Sequence, residues 1–330
     1  MRKIVNIIFL FTTISIFGQD KTPEDFGFRH IVYQYKTDNV DILIKSKKGE
    51  EDFKKPILFF CQGSLPRPLI IYDENGPYGV FTFNPDNLIE KFHLVIVGKP
   101  YIPLITEANT LSRNFTYVDN TGKYPKEYSD RNLLSYYTQR NIAIIKYLLK
   151  QKWVSSKQLV VAGHSEGSTV AAKMAAECNK ITRLIYSGGN PMGRIMSVIG
   201  ESRARETDTM KFGEISMEHW KEVVKNKNSM DASQGDTDKA TFEFSYPSIR
   251  YLEKLKIPTL VSYGTKDWCA PFNDFLRVEA IRQKRSNFTF NTYIGTEHNY
   301  FPLMEDNKPN YDIFNWDIVA NDWLKWLNEN

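Results

Sequence analysis

Ser165 is the residue whose sequence surroundings point most directly to covalent chemistry. It is the centre of residues 163–167, Gly-His-Ser-Glu-Gly, which match the G-x-S-x-G pattern of a nucleophilic serine. An apolar β-branched run at 159–162 precedes the motif, and an Ala-rich helical pattern at 169–176 follows it. The sharp turn between them strains the serine backbone and needs small neighbours, and both flanking positions are glycine. The pattern predicts a serine nucleophile for acyl transfer.

A serine hydroxyl is a poor nucleophile and needs a general base, for which histidine is best suited at neutral pH. His298 lies in the loop after the last predicted strand. The other four of the five histidines lie in predicted strands, inside the turn motif or in an inserted segment: His30, His93, His164 and His219. We therefore predict His298 as the base.

The order of Ser165, Asp267 and His298 resembles that of the α/β-hydrolase superfamily, in which an acid lies between serine and histidine. The resemblance covers roughly residues 55–327. It implies an α/β fold, with a mostly parallel central sheet flanked by helices and a helical cap insertion. It also places the triad acid at Asp267, where a carboxylate would fix the histidine tautomer and stabilise the imidazolium.

The resemblance further implies an oxyanion hole made of backbone N–H groups. In the superfamily the loop after the third strand often begins with His-Gly and supplies one donor; here it reads Gln62-Gly63. We assign the donors to the N–H groups of Ser64 and Glu166, with Leu65 as the neighbouring alternative to Ser64. The helix after the nucleophile also directs its positive dipole end to the developing charge.

Three residues are candidates for contact with the substrate: Tyr101, Leu65 and Trp268. Tyr101 leaves the carboxyl end of a predicted buried strand, which is where ligands of open α/β sheets bind. A tyrosine in such a loop can equally serve packing. Leu65 and Trp268 are next in sequence to Ser64 and Asp267.

Hydrophobic periodicity predicts the elements that position these residues. Alternation at 28–35 and 40–45 predicts an antiparallel hairpin, and helical spacing predicts helices at 132–150 and 312–327. Further strands, mostly continuous apolar runs of the kind buried on both faces, are predicted at 56–61, 92–97, 183–187, 258–264 and 288–294. Strands and helices alternate, so we predict one α/β domain over residues 19–330.

Residues 190–246, hereafter the cap, are too long for a single crossover helix and predict a mostly helical insertion over the site. The cap mixes charged residues with scattered Met, Ile and Trp220, so it lacks the large apolar face of a lipase lid. This composition predicts short or polar substrates. Its arginines, Arg194, Arg203 and Arg205 among them, could meet an acidic substrate or form a solvated face.

Residues 1–18 carry Arg2 and Lys3 before an apolar run too short to span a bilayer comfortably. They predict a cleavable signal peptide, a secreted or periplasmic location and no stable membrane anchor; an uncleaved anchor is the alternative. Without Arg2 and Lys3, the basic residues fall from 43 to 41 against 39 acidic ones. A nearly neutral chain argues against a nucleic-acid partner.

Cys61, Cys178 and Cys269 are an odd number in an exported chain. In the fold implied by the resemblance, three strand spacings of about 14 Å in total separate Cys61 from Cys269, too far for a disulfide. We predict free, mostly buried thiols. Serine acyl transfer needs no cofactor, and no zinc-binding motif is present in the sequence, so no metal or cofactor is predicted.

Three functions are compatible with these residues. The leading hypothesis is a serine hydrolase that cleaves carboxylic esters through an acyl-serine intermediate. Residues 163–167 with Asp267-x-x-Ala270-Pro271 also resemble the catalytic domain of prolyl-oligopeptidase-like enzymes, which implies a small-peptide or aminoacyl hydrolase. A non-catalytic binding protein on a hydrolase scaffold is the third, although such a protein need not keep all three triad residues. The expected partner is a small ester or a short peptide.

Overall fold

An eight-stranded sheet forms the centre of the computed structural model, which describes residues 21–233 and 235–330. The predicted signal peptide at 1–18 lies outside the described residues. The strands are β1 Arg29–Tyr35, β2 Asp38–Lys45, β3 Lys55–Cys61, β4 His93–Val97, β5 Val154–His164, β6 Arg183–Ser187, β7 Thr259–Gly264 and β8 Phe288–Tyr293. Their order is β1-β2-β4-β3-β5-β6-β7-β8, and β2 runs in the opposite direction to the other seven strands. The mostly parallel sheet predicted from the sequence is confirmed.

The apolar run of β3 shows why both faces of this sheet must be covered. Successive side chains of a strand point to opposite faces. Ile57 and Phe59 enter one hydrophobic core, whereas Leu58 and Phe60 enter the other, and all four are buried. A strand of this kind is stable only between two layers of helices.

Seven helices supply most of these layers and of the insertion: α1 Leu134–Leu148, α2 Glu166–Glu177, α3 Arg194–Ala204, α4 Phe212–Lys225, α5 Asp238–Phe244, α6 Ala270–Arg282 and α7 Trp316–Glu329. Residues of α1, α2 and α6 pack into one core, and α7 packs into the other with Trp323 fully buried. The helix predicted at 312–327 begins only at Trp316. No helix among the described residues is both long and apolar enough to cross a membrane.

Three short strands form a second sheet that the sequence did not predict. They are Ile70–Asp73, Gly76–Pro77 and Ile105–Glu107. Strands of two to four residues are too short for a period-two pattern to be recognised.

The cap is helical, as predicted from its length. Three helices, α3, α4 and α5, lie within residues 190–246, and a short helix at Ile249–Leu252 follows them before β7 begins.

All three cysteines are free and buried, which confirms the prediction made for them. Cys61 ends β3, and Cys269 lies just beyond β7. Strands β5 and β6 lie between these two in the sheet.

Candidate active site

Ser165 occupies the turn between β5 and α2 in a backbone conformation that non-glycine residues seldom adopt, with φ of 57° and ψ of −127°. The flanking glycines are required by space. A Cβ on Gly163 would lie 2.1 Å from the carbonyl oxygen of Gly167, and one on Gly167 would lie 2.0 Å from that of Cys61. The turn therefore packs backbone against backbone, and Ser165 reaches the cleft above the sheet.

The structure brings Ser165, His298 and Asp267 into one hydrogen-bonded chain. His298 Nε2 lies 2.9 Å from Ser165 Oγ, and His298 Nδ1 lies 2.8 Å from Asp267 Oδ2. Asp267 Oδ1 also accepts the backbone N–H of Cys269 at 3.0 Å. This is the geometry in which a base activates a nucleophile and a carboxylate orients the base.

Opposing effects set the pKa values of His298 and Asp267. Burial alone would lower the pKa of His298, but the hydrogen bond and charge of Asp267, with smaller contributions from Glu297 and Glu201, raise that pKa above its ordinary value. Burial would likewise raise the pKa of Asp267, but the hydrogen bond and charge of His298 lower it overall. Asp267 is therefore ionised and holds a more basic imidazole.

His164 is a second imidazole in the site, with its ring 5.0 Å from that of His298. Burial, followed by the charge of His298, lowers the pKa of His164 to about 3. Its ring nitrogens lie within hydrogen-bond distance of Ser187 Oγ and Asn299 Oδ1, and no carboxylate within the described ranges bonds to it. His164 is therefore a neutral packing residue, in agreement with its exclusion as the base.

The two assigned oxyanion donors lie beside the nucleophile. Ser64 and Glu166 both line the cleft that contains Ser165. A Cβ on Gly63, which precedes Ser64, would be 3.7 Å from Ser165 Cβ, so the loop after β3 passes directly over the nucleophile. In the described part of the chain, neither N–H is bonded to a protein acceptor, and Glu166 is the first residue of α2, where such donors are free.

The cleft above Ser165 has a volume of about 500 Å³. The sheet domain and the cap both contribute to its wall: Ser64, Glu166, Thr169, Gly188, Trp268 and Cys269 from the former, and Asn190, Arg194, Ser197, Val198, Glu201, Asp236 and Phe244 from the latter. The large apolar side chains among them are Val198, Phe244 and Trp268, and most of the other lining residues are polar or charged, although apolar atoms supply the larger part of the exposed wall.

Of the three candidate substrate-binding residues, only Trp268 lines this cleft, with its side chain half exposed. Tyr101 does not line it: its hydroxyl donates to Asp38 at 3.0 Å, and the residue lines a different cavity. Arg131, which bonds to Asp38 and lies over the Tyr101 ring, fixes it there. Leu65 is half-buried and does not line the cleft either.

Sequence reasoning missed the ionic contacts that the cap makes in the cleft. Arg194 donates to the Glu166 carboxylate and also to Asp236 Oδ2 at 2.5 Å. These partners are 28 and 42 positions away in the sequence, so no local pattern could pair them.

The other two cap arginines also have acidic partners. Arg203 bonds to Glu206 and Glu214, and Arg205 lies 3.7 Å from Glu201. The structure thus gives no support to recognition of an acidic substrate by the cap arginines.

Asp267, Cys269 and His298 could in principle hold a metal ion, because their ligand atoms lie within 4.8 Å of one another. Both ring nitrogens of His298, however, are already in contact with Ser165 and Asp267. A metal at this place would have to displace the hydrogen bond to Asp267, which suits inhibition better than catalysis.

No protein-family model matches the sequence, and no curated protein matches it. Solved structures share its fold. Est1E from Butyrivibrio proteoclasticus has a TM-score of 0.51 and 15% identity, over 92% of this chain and 98% of that one. Porphyromonas gingivalis dipeptidyl peptidase 4 has a TM-score of 0.52 and 12% identity, over 92% and 35%. The acylaminoacyl peptidase of Pyrococcus horikoshii has a TM-score of 0.51 and 12% identity, over 82% of this chain and 37% of that one.

The chain therefore spans nearly the whole of Est1E but about a third of each peptidase. The strand order, the strained turn at Ser165 and these likenesses together show the α/β-hydrolase fold.

Proposed function

We propose that this α/β-hydrolase chain is a secreted or periplasmic serine hydrolase that cleaves carboxylic esters through an acyl-serine intermediate. The observation that carries the proposal is the hydrogen-bonded chain from Ser165 through His298 to Asp267. The secreted location is carried by the sequence of residues 1–18 alone.

The reaction follows from the positions of these groups. His298 Nε2 takes the proton of Ser165 Oγ as the oxygen attacks the ester carbonyl. The N–H groups of Ser64 and Glu166 stabilise the negative oxygen of the tetrahedral intermediate. His298 then gives the proton to the departing alcohol, which leaves an acyl group on Ser165. Water activated by the same imidazole hydrolyses this acyl-enzyme and frees the carboxylic acid.

The wall of the cleft favours short or polar substrates. Its large apolar side chains are Val198, Phe244 and Trp268, whereas most of the remaining lining is polar or charged. A long acyl chain would have to pass charged side chains such as Glu201 and Asp236 and would desolvate them.

A panel of p-nitrophenyl esters from acetyl to dodecanoyl tests this function, together with labelling by a fluorophosphonate probe. We expect the probe on Ser165 by mass spectrometry, and the highest kcat/KM at acetyl or butyryl. With a deep apolar pocket, kcat/KM would instead rise several-fold for each carbon added to the acyl chain, because burial of a methylene contributes about 0.8 kcal/mol. A steady rise through decanoyl would contradict the short-substrate proposal.

A small-peptide or aminoacyl hydrolase is the second candidate, and Glu201 is the observation that favours it. This carboxylate lines the cleft half-exposed, 3.7 Å from its partner Arg205, and could receive a substrate amine. Cleavage of aminoacyl anilides without turnover of any ester in the panel would select this alternative.

Activity should fall as the pH falls through the pKa of His298. The protonated imidazole cannot accept the Ser165 proton, and Asp267 raises this pKa above the ordinary 6.5. We therefore expect kcat/KM for p-nitrophenyl acetate to decline as the pH falls through this raised pKa and to level off above it. A profile that is flat between about pH 5 and pH 8 would exclude His298 as the base.

A further inference from the structure

The side chain of Glu166 is buried directly behind the nucleophile, with 6% of its surface exposed. Arg194, the first residue of α3 in the cap, donates to its Oε2. The Arg194 guanidinium is itself fixed, because it donates to Asp236 Oδ2 and lies 4.6 Å from the centre of the Phe244 ring. Arg194 of the cap thus holds the side chain of Glu166, and the backbone N–H of Glu166 is one of the assigned oxyanion donors.

The second cation beside Glu166 contributes less. Lys99 Nζ lies 3.9 Å from Glu166 Oε1, beyond hydrogen-bond distance, and this oxygen accepts no hydrogen bond from the described residues. Burial, followed by the charge of Arg140, lowers the pKa of Lys99 to about 7, so near neutrality it is only partly charged. Arg194 is therefore the principal counter-charge of this carboxylate.

The charge of Glu166 matters because of where it lies. Negative charge develops on the substrate oxygen during acyl transfer, within reach of the Glu166 N–H. An uncompensated carboxylate on that same residue would repel this charge, and its burial would be costly without a partner.

We propose that Arg194 is a positioning residue: it neutralises and fixes Glu166, so that the cap completes the oxyanion site built on the sheet domain. Arg194 acts through Glu166 and not on the substrate. This inference rests on the proposed function.

The test is a double-mutant cycle on the full chain, with kcat and KM measured on p-nitrophenyl acetate for Arg194→Gln, Glu166→Gln and the double variant. We expect Arg194→Gln to lower kcat by about 10- to 100-fold, less than the loss of a whole oxyanion donor, with KM within about threefold. In the Glu166→Gln background the same change should cost less than about threefold, because no charge remains to be neutralised.

Arg203→Gln is the matched control. Arg203 is on the same helix, bonds to two carboxylates and does not line the cleft. Its replacement should leave kcat within about threefold. An equal loss of kcat in Arg203→Gln would mean that any broken ion pair on α3 disturbs the cap, and would overturn the proposal.

Two further outcomes would overturn it. An equal fold-loss from Arg194→Gln in both backgrounds would show that Arg194 does not act through Glu166. A rise in KM at constant kcat would show that it binds substrate. If Arg194→Gln does not fold by its thermal melt, the equally neutral Arg194→Met in the same two backgrounds makes the same comparison. Failure of the proposed function is separate, since the unmodified protein would then hydrolyse no ester of the panel.

Discussion

Replacing Ser165 with alanine is expected to lower kcat for ester hydrolysis by about a million-fold, because the loss of a triad nucleophile elsewhere costs about that much. No other described serine hydroxyl bonds to the imidazole of His298. The same variant should no longer bind the fluorophosphonate probe, as measured by intact mass. Its melting temperature should stay close to that of the parent, because the hydroxyl contributes no contact to the core.

Ser197→Ala is the control for this variant. Ser197 also lines the cleft, but its hydroxyl bonds to Asn190 and Cys269 and has no base beside it. Its activity should remain within about tenfold of the parent, and its labelling should be unchanged. Labelling that persists in Ser165→Ala, on this or any other serine, would show that the nucleophile has been wrongly assigned.

Asp267→Asn is expected to lower kcat by about ten-thousand-fold while the protein remains folded. The amide would donate to His298 Nδ1 and thereby place the ring proton on Nε2, which then cannot accept the proton of Ser165. The oxygen of the introduced amide can still accept the Cys269 N–H, so the loop should keep its shape. The measurement is kcat on p-nitrophenyl acetate, beside a thermal melt of each variant.

Asp274→Asn provides the comparison, since Asp274 is the nearest alternative acid in sequence. In the structure its carboxylate accepts the Tyr263 hydroxyl at 2.5 Å, on the first half of α6. Removing that charge should change kcat by less than about tenfold. If Asp274→Asn is the more damaging of the two substitutions, the acid of the triad has been misidentified.

Local sequence determined the elements that carry the nucleophile. The sharp turn alone predicts that positions 163 and 167 need residues without a side chain. The structure shows that a Cβ on either glycine would collide with backbone. The apolar run of β3 likewise predicted burial on both faces. Such features depend on residues close in sequence, whose spacing is fixed by backbone geometry.

The meeting of Ser165 with His298 could be predicted only through the resemblance, because 133 positions separate them. Periodicity places each residue at the end of a strand, and parallel strands end at the same edge of a sheet. The order of strands decides whether those ends are neighbours. The superfamily order implied by the resemblance supplied that information.

Side-chain partners across the fold were decided by tertiary structure alone. Tyr101 leaves the correct edge of the sheet, yet its hydroxyl bonds to Asp38, and it lines a cavity other than the cleft. Arg194 could not be distinguished from a solvated arginine until α3 was placed over Glu166. A long flexible side chain can reach any of several partners, and burial selects among them through the cost of leaving a charge unpaired. The sequence by itself thus determined where the chemistry is attached, and the packing of the cap determined which charges surround it.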